Sequence, residues 1–213
     1  MSREFMDIFD QWASTYDEAV LGHDEQYKEV FEHYHHILET VASRSYGHVL
    51  EFGVGTGNLT EEILKNNLNY TGIEPNESMR AIAQERFPNE TILDGDFLTF
   101  DEIKDVDTII SSYAFHHLTD DEKQVALNRF FDMLPSNGHI IFADTVFKSD
   151  FDYRSIIAAN REKGFNDLAD DLEREYYTTH PVMKKLFETA GFKVQFEQLN
   201  TFVWLIQGSK VSR

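Results

Sequence analysis

The chain has 213 residues, of which 41% are hydrophobic, and its formal net charge is −19. This composition fits one soluble α/β domain and excludes a disordered chain, while so acidic a surface disfavours nucleic acid and anionic membranes as partners. We expect no membrane span or signal peptide, and the absence of cysteine excludes disulfides and thiolate sites. A cytoplasmic location is therefore expected.

The first forty residues carry two apolar patterns with the spacing of amphipathic helices. The first pattern consists of Phe5, Ile8, Phe9, Trp12 and Tyr16. The second pattern runs from Tyr27 to Val41. They predict an N-terminal helical cap over residues 1–42.

From residue 48 the chain alternates between short apolar runs and helical patterns. Strands are expected at about 48–52, 69–74, 91–93, 106–111 and 139–144, with helices at about 58–66, 76–86 and 121–134. Asn76 is a predicted helix cap. Strands separated by helices indicate βαβ units and a mainly parallel sheet, so residues 43–147 are the predicted core.

Residues 148–180 interrupt this alternation with polar, helical segments, which predict an inserted helical cap. A last helix at about 181–189 and two strands at about 192–198 and 201–207 complete the chain through residue 213. The short link between those strands predicts an antiparallel hairpin at one edge of the sheet.

Three glycines follow the first strand at alternate positions: Gly53, Gly55 and Gly57. A dinucleotide-binding turn would need a glycine where Asn58 stands, so the turn has no pyrophosphate cradle. Its backbone can still approach a ligand closely, with the Glu51 carboxylate beside it. This turn therefore indicates a ligand with an adenosine body and a cationic or zwitterionic end.

Polar residues also stand at the ends of the next strands. Glu74 follows Gly53 by 21 positions, a spacing at which an acidic side chain can bind both ribose hydroxyls. Asp96 and the backbone of Phe97 are placed to bind an adenine edge, and Ser111 ends the fourth strand. Because the carboxyl ends of parallel strands face one crevice, these residues predict a single nucleoside site.

Taken together, the motifs resemble those of the class I S-adenosylmethionine-dependent methyltransferases. The matching segments are residues 51–57, 72–79, 95–97, 107–118 and 134–138. The resemblance implies a Rossmann-like, seven-stranded, mostly parallel sheet with an antiparallel C-terminal hairpin, and S-adenosyl-L-methionine as cofactor. It also implies that Glu74 binds the ribose, that Met79 packs on the adenine and that Tyr16 lies over the cofactor. The whole chain looks most like the small bacterial YrrT-type methyltransferases.

A methyl group on a sulfonium is already activated, so its transfer needs alignment more than it needs a base. His116, or its neighbour His117, is the candidate base, although either ring could instead cap a helix or fill core space. Tyr27, Tyr153 and Arg154 are the candidate substrate residues. No metal site is predicted, because His33, His35 and His36 diverge in direction on a helix.

The predicted function is therefore methyl transfer to a small-molecule acceptor by a monomer or homodimer. The alternative is a non-catalytic cofactor-binding or regulatory protein that retains the methyltransferase fold. A nicotinamide-dependent oxidoreductase is disfavoured by Asn58.

Overall fold

The computed structural model describes residues 24–210. The strands are β1 (His48–Phe52), β2 (Asn69–Ile73), β3 (Thr91–Leu93), β4 (Thr108–Ser112), β5 (His139–Phe147), β6 (Thr178–Thr179), β7 (Phe192–Gln198) and β8 (Val203–Lys210). Their order in the sheet is β3-β2-β1-β4-β5-β8-β7, and β6 pairs with β5 beside this path. The strands β1 to β5 pair in parallel, whereas β8 is antiparallel to both β5 and β7. The predicted Rossmann-like, mostly parallel sheet with a C-terminal hairpin is confirmed.

The helices are α1 (Tyr34–Arg44), α2 (Asn58–Lys65), α3 (Glu77–Arg86), α4 (Asp120–Met133), α5 (Asp150–Lys163), α6 (Asn166–Arg174) and α7 (His180–Ala190), with a 3-10 turn at Phe115–His117. The predicted cap of α3 is confirmed, because the Asn76 side chain accepts the Met79 amide hydrogen at 2.9 Å. None of the helices within residues 24–210 has the length and apolar character of a membrane span.

Alternation along the strands divides the core between the two faces of the sheet. Val49, Ile110 and Leu205 pack on one face with α1 and α2. Leu50 and Ile109, one position away in their strands, pack on the other face with α4 and α7. Helices thus cover both faces, as βαβ connections require.

The sheet reverses its strand order at β1. The chain continues from β1 to β2 and β3 on one side, then crosses to β4 and β5 on the other. Glu51 pairs with Gly72 of β2 and with Ile110 of β4, so it stands at this reversal point. A crevice outside the carboxyl ends of β1 and β4 is where such sheets bind ligands.

The second N-terminal pattern is only partly helical, which corrects the prediction. The Tyr27 carbonyl accepts the amides of Val30 and Phe31 at 3.0 and 3.1 Å, which forms turns. His33 then adopts a left-handed conformation with φ 62°, so α1 begins only at Tyr34. The apolar spacing was real, but these side chains pack on the core from turns. The first N-terminal pattern, with Tyr16, lies outside the described residues.

The hairpin link is also longer than predicted, because β8 begins at Val203. The Asn200 side chain organises it: Oδ1 accepts the amides of Phe202 and Val203 at 2.8 and 2.6 Å. Its Nδ2 donates to the carbonyl oxygens of Val30 and Glu32, which ties the link to the N-terminal turns. This long-range bond is invisible in the local sequence.

The predicted insertion between β5 and α7 consists of α5, α6 and β6. Leu168 and Leu172 of α6 are buried in the same cluster as α1. Tyr153 of α5 stacks on Phe147 at the end of β5, with 4.5 Å between ring centroids. These helices therefore form a cap above the carboxyl ends of β4 and β5. The residue boundaries of the sub-regions stay predictions.

Candidate functional site

The turn after β1 is built from three glycines with positive φ. A Cβ at Gly53 would lie 2.7 Å from the Ala114 side chain, and one at Gly57 would lie 2.6 Å from Phe87. A Cβ at Gly55 would meet nothing within 4 Å. Gly53 and Gly57 therefore permit close packing, whereas Gly55 opens onto a hollow that a ligand can approach. We call this space the glycine hollow; its lining is Tyr34, Gly53, Val54, Gly55, Thr56, Asn58, Leu59 and Ser112.

Glu74 joins the end of β2 to this turn. It is fully buried, and its carboxylate oxygens accept the amide hydrogens of Gly55 and Asn76, each at 2.8 Å. Burial raises the pKa of Glu74, and the two amides act in the opposite direction. Each oxygen retains a further lone pair, so binding of a ribose by Glu74 stays compatible with these bonds and stays a prediction.

Glu51 is buried with one carboxylate oxygen satisfied and the other not. Its Oε2 accepts hydrogen bonds from Thr60 Oγ1 at 2.8 Å and from Tyr70 OH at 2.6 Å. Its Oε1 has no hydrogen-bond partner among the described residues. Burial raises the pKa of Glu51 to about 8. A buried acceptor without a donor is costly, so the site fits a ligand that brings an ammonium group.

Asp96 and Phe97 lie after β3, near the same strand ends. Asp96 Oδ1 accepts the amides of Leu98 and Thr99 at 2.9 and 2.7 Å, which fixes the loop. The Phe97 ring stacks on Phe52 at 5.1 Å between centroids and belongs to the core. Contact of either residue with an adenine stays a prediction.

Met79 and Ser111 are both buried in the described fold. Met79 stands in the first turn of α3, with its amide on the cap residue. The Ser111 hydroxyl donates to the Phe52 carbonyl at 2.8 Å and so ties β4 to the end of β1. Their predicted cofactor roles stay predictions, as does that of Tyr16.

A second, larger space lies beneath the cap, and we call it the cap cavity. It combines apolar or aromatic walls with a few ionisable groups. Its lining is Tyr27, Val30, Phe31, Tyr113, His116, His117, Thr145, Leu168, Asp171, Leu172, Arg174, Glu175, Tyr177 and Phe202.

Two aromatic rings separate the glycine hollow from the cap cavity. Tyr34 lines the hollow and Tyr113 lines the cavity, and their ring centroids are 5.6 Å apart. Tyr113 holds a left-handed conformation with φ 51°, and its amide donates to Ala143 at 2.9 Å. Such strain in a residue other than glycine is frequent at ligand sites. The two spaces are therefore neighbours at the ends of β1, β4 and β5.

His116 lies between two carboxylates in the cap cavity. Its Nδ1 is 2.6 Å from Asp144 Oδ1, and its Nε2 is 3.2 Å from Glu175 Oε2. Burial alone would lower the pKa of His116, but the charge of Asp144 and the hydrogen bonds to both carboxylates raise it to about 10. In this arrangement the ring is a cation that bridges the sheet and the cap. A base role for His116, which stays a prediction, would require it to release a carboxylate.

Asp144 and Tyr177 fix the orientation of this cluster. Asp144 Oδ2 also accepts the amides of Phe115 and His116 at 2.7 and 3.1 Å. The Tyr177 hydroxyl donates to Glu175 Oε2 at 2.8 Å, and its ring stacks on His116. His117, buried beside His116, has a pKa held well below its usual value by burial and by the neighbouring charge.

The three predicted substrate residues occupy different places. Tyr27 lines the cap cavity, and its hydroxyl donates to Asp171. Tyr153 lies in the cap outside that lining, and its hydroxyl donates to the Leu172 carbonyl. Arg154 is exposed on α5. All three substrate roles stay predictions.

Sequence reasoning missed Asp171, Glu175 and Tyr177, which line the cap cavity, and Asp144, which holds the His116 ring from behind. Asp144 was the last residue of the predicted fifth strand, so the strand-end argument that selected Glu74 would have found it. The other three belong to the insertion and carry no local motif, so only the folded cap reveals them.

Comparison with known proteins places this fold and site in a family. Residues 50–140 match the family described as "Methyltransferase domain". An uncharacterized methyltransferase of Bacillus thuringiensis (strain Al Hakam) is 52% identical over 99% of this chain and 100% of its own length. The chain therefore belongs to the methyltransferase family, and its sheet topology is that of the class I, S-adenosylmethionine-dependent members.

Solved structures share the fold at low sequence identity. A methyltransferase from Thermotoga maritima, described as a possible histamine N-methyltransferase, has a TM-score of 0.70 and 19% identity, covering 98% of this chain and 100% of its own. Magnesium protoporphyrin IX methyltransferase from Synechocystis, solved with bound S-adenosylhomocysteine, has a TM-score of 0.71 and 14% identity, covering 96% and 98%.

Proposed function

We propose that this methyltransferase transfers a methyl group from S-adenosyl-L-methionine to a small-molecule acceptor bound in the cap cavity. The observation that carries the proposal is the pair of adjacent spaces, one beside Gly55 and one beneath the cap, separated by Tyr34 and Tyr113. The larger space has mostly apolar or aromatic walls with a few ionisable groups, which is the usual make-up of small-molecule sites.

The glycine hollow is the proposed cofactor site. When bound, the cofactor would supply an already activated methyl group. Gly55 leaves the backbone open, Glu74 offers carboxylate lone pairs for a ribose, and Glu51 Oε1 offers a buried acceptor for the ammonium group of the methionine end. These residues fit a nucleoside with a cationic end.

The protein's contribution to the reaction is position. Fixing two reactants in line can lower a barrier by roughly 7–11 kcal/mol. Tyr34 and Tyr113 would border the path of the methyl group, and the apolar walls of the cap cavity would exclude water. His116, held by Asp144 and Glu175, would orient the cap over the acceptor.

Several finer assignments belong to the same proposal. The acidic surface supports a metabolite as acceptor in preference to nucleic acid or membrane lipid, with the protein acting as a monomer or homodimer. The names of two structural relatives refer to small molecules: one is described as a possible histamine N-methyltransferase, and the other is magnesium protoporphyrin IX methyltransferase. The motif resemblance supports membership of the small bacterial YrrT-type group.

The test combines binding with product identification. Calorimetry should show that S-adenosylmethionine and S-adenosylhomocysteine bind and that NAD does not. Incubation of the protein with a metabolite extract and a methyl-labelled donor should then give a labelled product that mass spectrometry identifies. Tight cofactor binding with no labelled product would favour the non-catalytic alternative, and preferential NAD binding would contradict the cofactor assignment.

A further inference from the structure

We propose that His116, His117 and Glu175 form a binding site for a divalent transition metal, such as Zn²⁺, inside the cap cavity. The sequence prediction of no metal site considered the exposed His33, His35 and His36 and did not consider this pair. The adjacent histidines belong to the 3-10 turn after β4, and Glu175 directly follows α6. Folding of the cap is what brings the three side chains together.

The distances between the donor atoms support the assignment. Glu175 Oε2 is 3.2 Å from His116 Nε2 and 4.0 Å from His117 Nδ1, and the three ligand atoms all lie within 4.8 Å of one another. Two ligands bound tetrahedrally to zinc at roughly 2.0–2.1 Å are about 3.3 Å apart. The distance between His116 and Glu175 already meets this value, and His117 Nδ1 must come closer to Glu175 Oε2 to meet it.

The chemistry of the donors supports a transition metal. Two imidazoles and one carboxylate are a common set for Zn²⁺, Co²⁺ and Fe²⁺, and three protein ligands leave a coordination position open. All three side chains line the cap cavity, so the open position would face the acceptor. A metal there would bind a thiol or hydroxyl of the acceptor and promote its deprotonation.

A carboxylate behind the first histidine is a second, independent feature of such sites. Metal-bound histidines commonly donate their other ring N–H to a carboxylate, which fixes the ring. Asp144 Oδ1 is 2.6 Å from His116 Nδ1, and the Asp144 carboxylate is itself held by two backbone amides. His116 Nε2 is left to face Glu175.

Binding has a defined proton balance. His116 Nε2 must lose its hydrogen before it can bind a metal, so one proton leaves as the metal enters. Glu175 and Asp144, which now share that hydrogen-bonded ring, would then neutralise the charge of the divalent ion.

The experiment uses the full, untagged chain after removal of metal with a chelator, and Zn²⁺ alone as the probe. Calorimetry should show one bound equivalent, and Co²⁺ should give the visible absorption of a tetrahedral site. His117→Gln and Glu175→Gln should each weaken binding by about 100-fold or more, beyond the 10–100-fold typical when a supporting carboxylate is lost. His36→Gln, which alters a side chain 74% exposed on α1, is the matched control and should bind normally.

Absence of a one-to-one Zn²⁺ complex would overturn the metal assignment, and so would Zn²⁺ binding by both site variants as tight as that of the unaltered chain. So would loss of binding in His36→Gln, since it would move the metal to the surface histidines. Circular dichroism checks that the variants fold; should both unfold, the Co²⁺ spectrum of the unaltered chain decides. No methyl donor is present, so this result is independent of the proposed function.

Discussion

The glycine hollow and the cap cavity are neighbours that the chain builds in different ways. In the hollow, the bond between Gly55 and Glu74 spans 19 positions of sequence. In the cavity, the bond between Tyr27 and Asp171 spans 144. The glycine turn and Glu74 therefore belong to one βαβ unit, to which Tyr34 and Ser112 add two further walls of the hollow, whereas the cavity needs the completed sheet and the cap. This difference suggests that the fold specifies the cofactor and that the insertion specifies the acceptor.

The largest expected effect is on the hollow. Glu74→Ala leaves the amides of Gly55 and Asn76 without their acceptor, and hydrogen bonds to a charged group contribute about 1.5–3 kcal/mol each. We expect Glu74→Ala to bind S-adenosylmethionine at least about 100-fold more weakly than the unaltered protein. The affinity of Glu74→Gln should lie between those of Glu74→Ala and the unaltered protein. Calorimetry measures both.

The control for Glu74→Ala removes a carboxylate far from the hollow. Glu197→Ala deletes a half-exposed partner of Arg44 on β7 and should leave cofactor affinity unchanged. Equal affinity in Glu74→Ala and in the unaltered protein would contradict the ribose assignment.

A second, smaller effect distinguishes the strain of a left-handed backbone from the loss of room for a ligand, by comparing alanine substitutions at two glycines. Gly55 and Gly164 both have positive φ, and a Cβ at either would meet nothing within 4 Å. Alanine at each should therefore cost about 1–2 kcal/mol of folding free energy for the same reason. Only Gly55→Ala should also weaken cofactor binding, by about tenfold, because its Cβ enters the hollow. Similar losses of affinity in both variants would remove Gly55 from the site.

The same contrast explains what the sequence could and could not predict. The sheet, the glycine turn and the capping role of Asn76 depend on short-range patterns, and each was correct. The helical spacing of Tyr27, Val30 and Phe31 misled because a left-handed His33 ends the turns before α1. Contacts such as Glu175 with His116 join segments with no shared motif, so no local pattern could reveal them.

A third prediction concerns pH and the unpaired oxygen of Glu51. Burial raises the pKa of Glu51 from 4.5 to about 8, so the folded protein holds a proton that the unfolded chain has lost. Its contribution to stability therefore falls as pH rises from about 4.5 to 8 and is constant above. An ammonium ligand favours the ionised form, so cofactor affinity should rise as pH approaches 8, by up to about tenfold per unit.

Glu51→Gln provides the matched comparison, because glutamine has nearly the same side-chain shape as glutamate but cannot ionise. Titration of the ligand itself is common to both proteins, so the difference between their pH profiles reports Glu51 alone. Identical profiles from pH 6 to 9 would show that this carboxylate does not bind the ammonium end of the cofactor.

The smallest expected effect tests the cap cavity and separates two tyrosines that the sequence could not rank. Tyr27 and Tyr153 each donate one hydrogen bond within the cap region, but only Tyr27 lines the cavity. Tyr27→Phe loses the bond to Asp171, a change of about 1 kcal/mol, so the KM for the acceptor identified from the labelled product should rise about fivefold. Tyr153→Phe makes the same chemical change and should leave KM within about twofold. Cofactor affinity should be unchanged in both variants, because neither tyrosine borders the glycine hollow. Equal increases in KM for Tyr27→Phe and Tyr153→Phe would mean that the cap affects acceptor binding only through its overall stability. The residues that line the cavity would then not contact the acceptor.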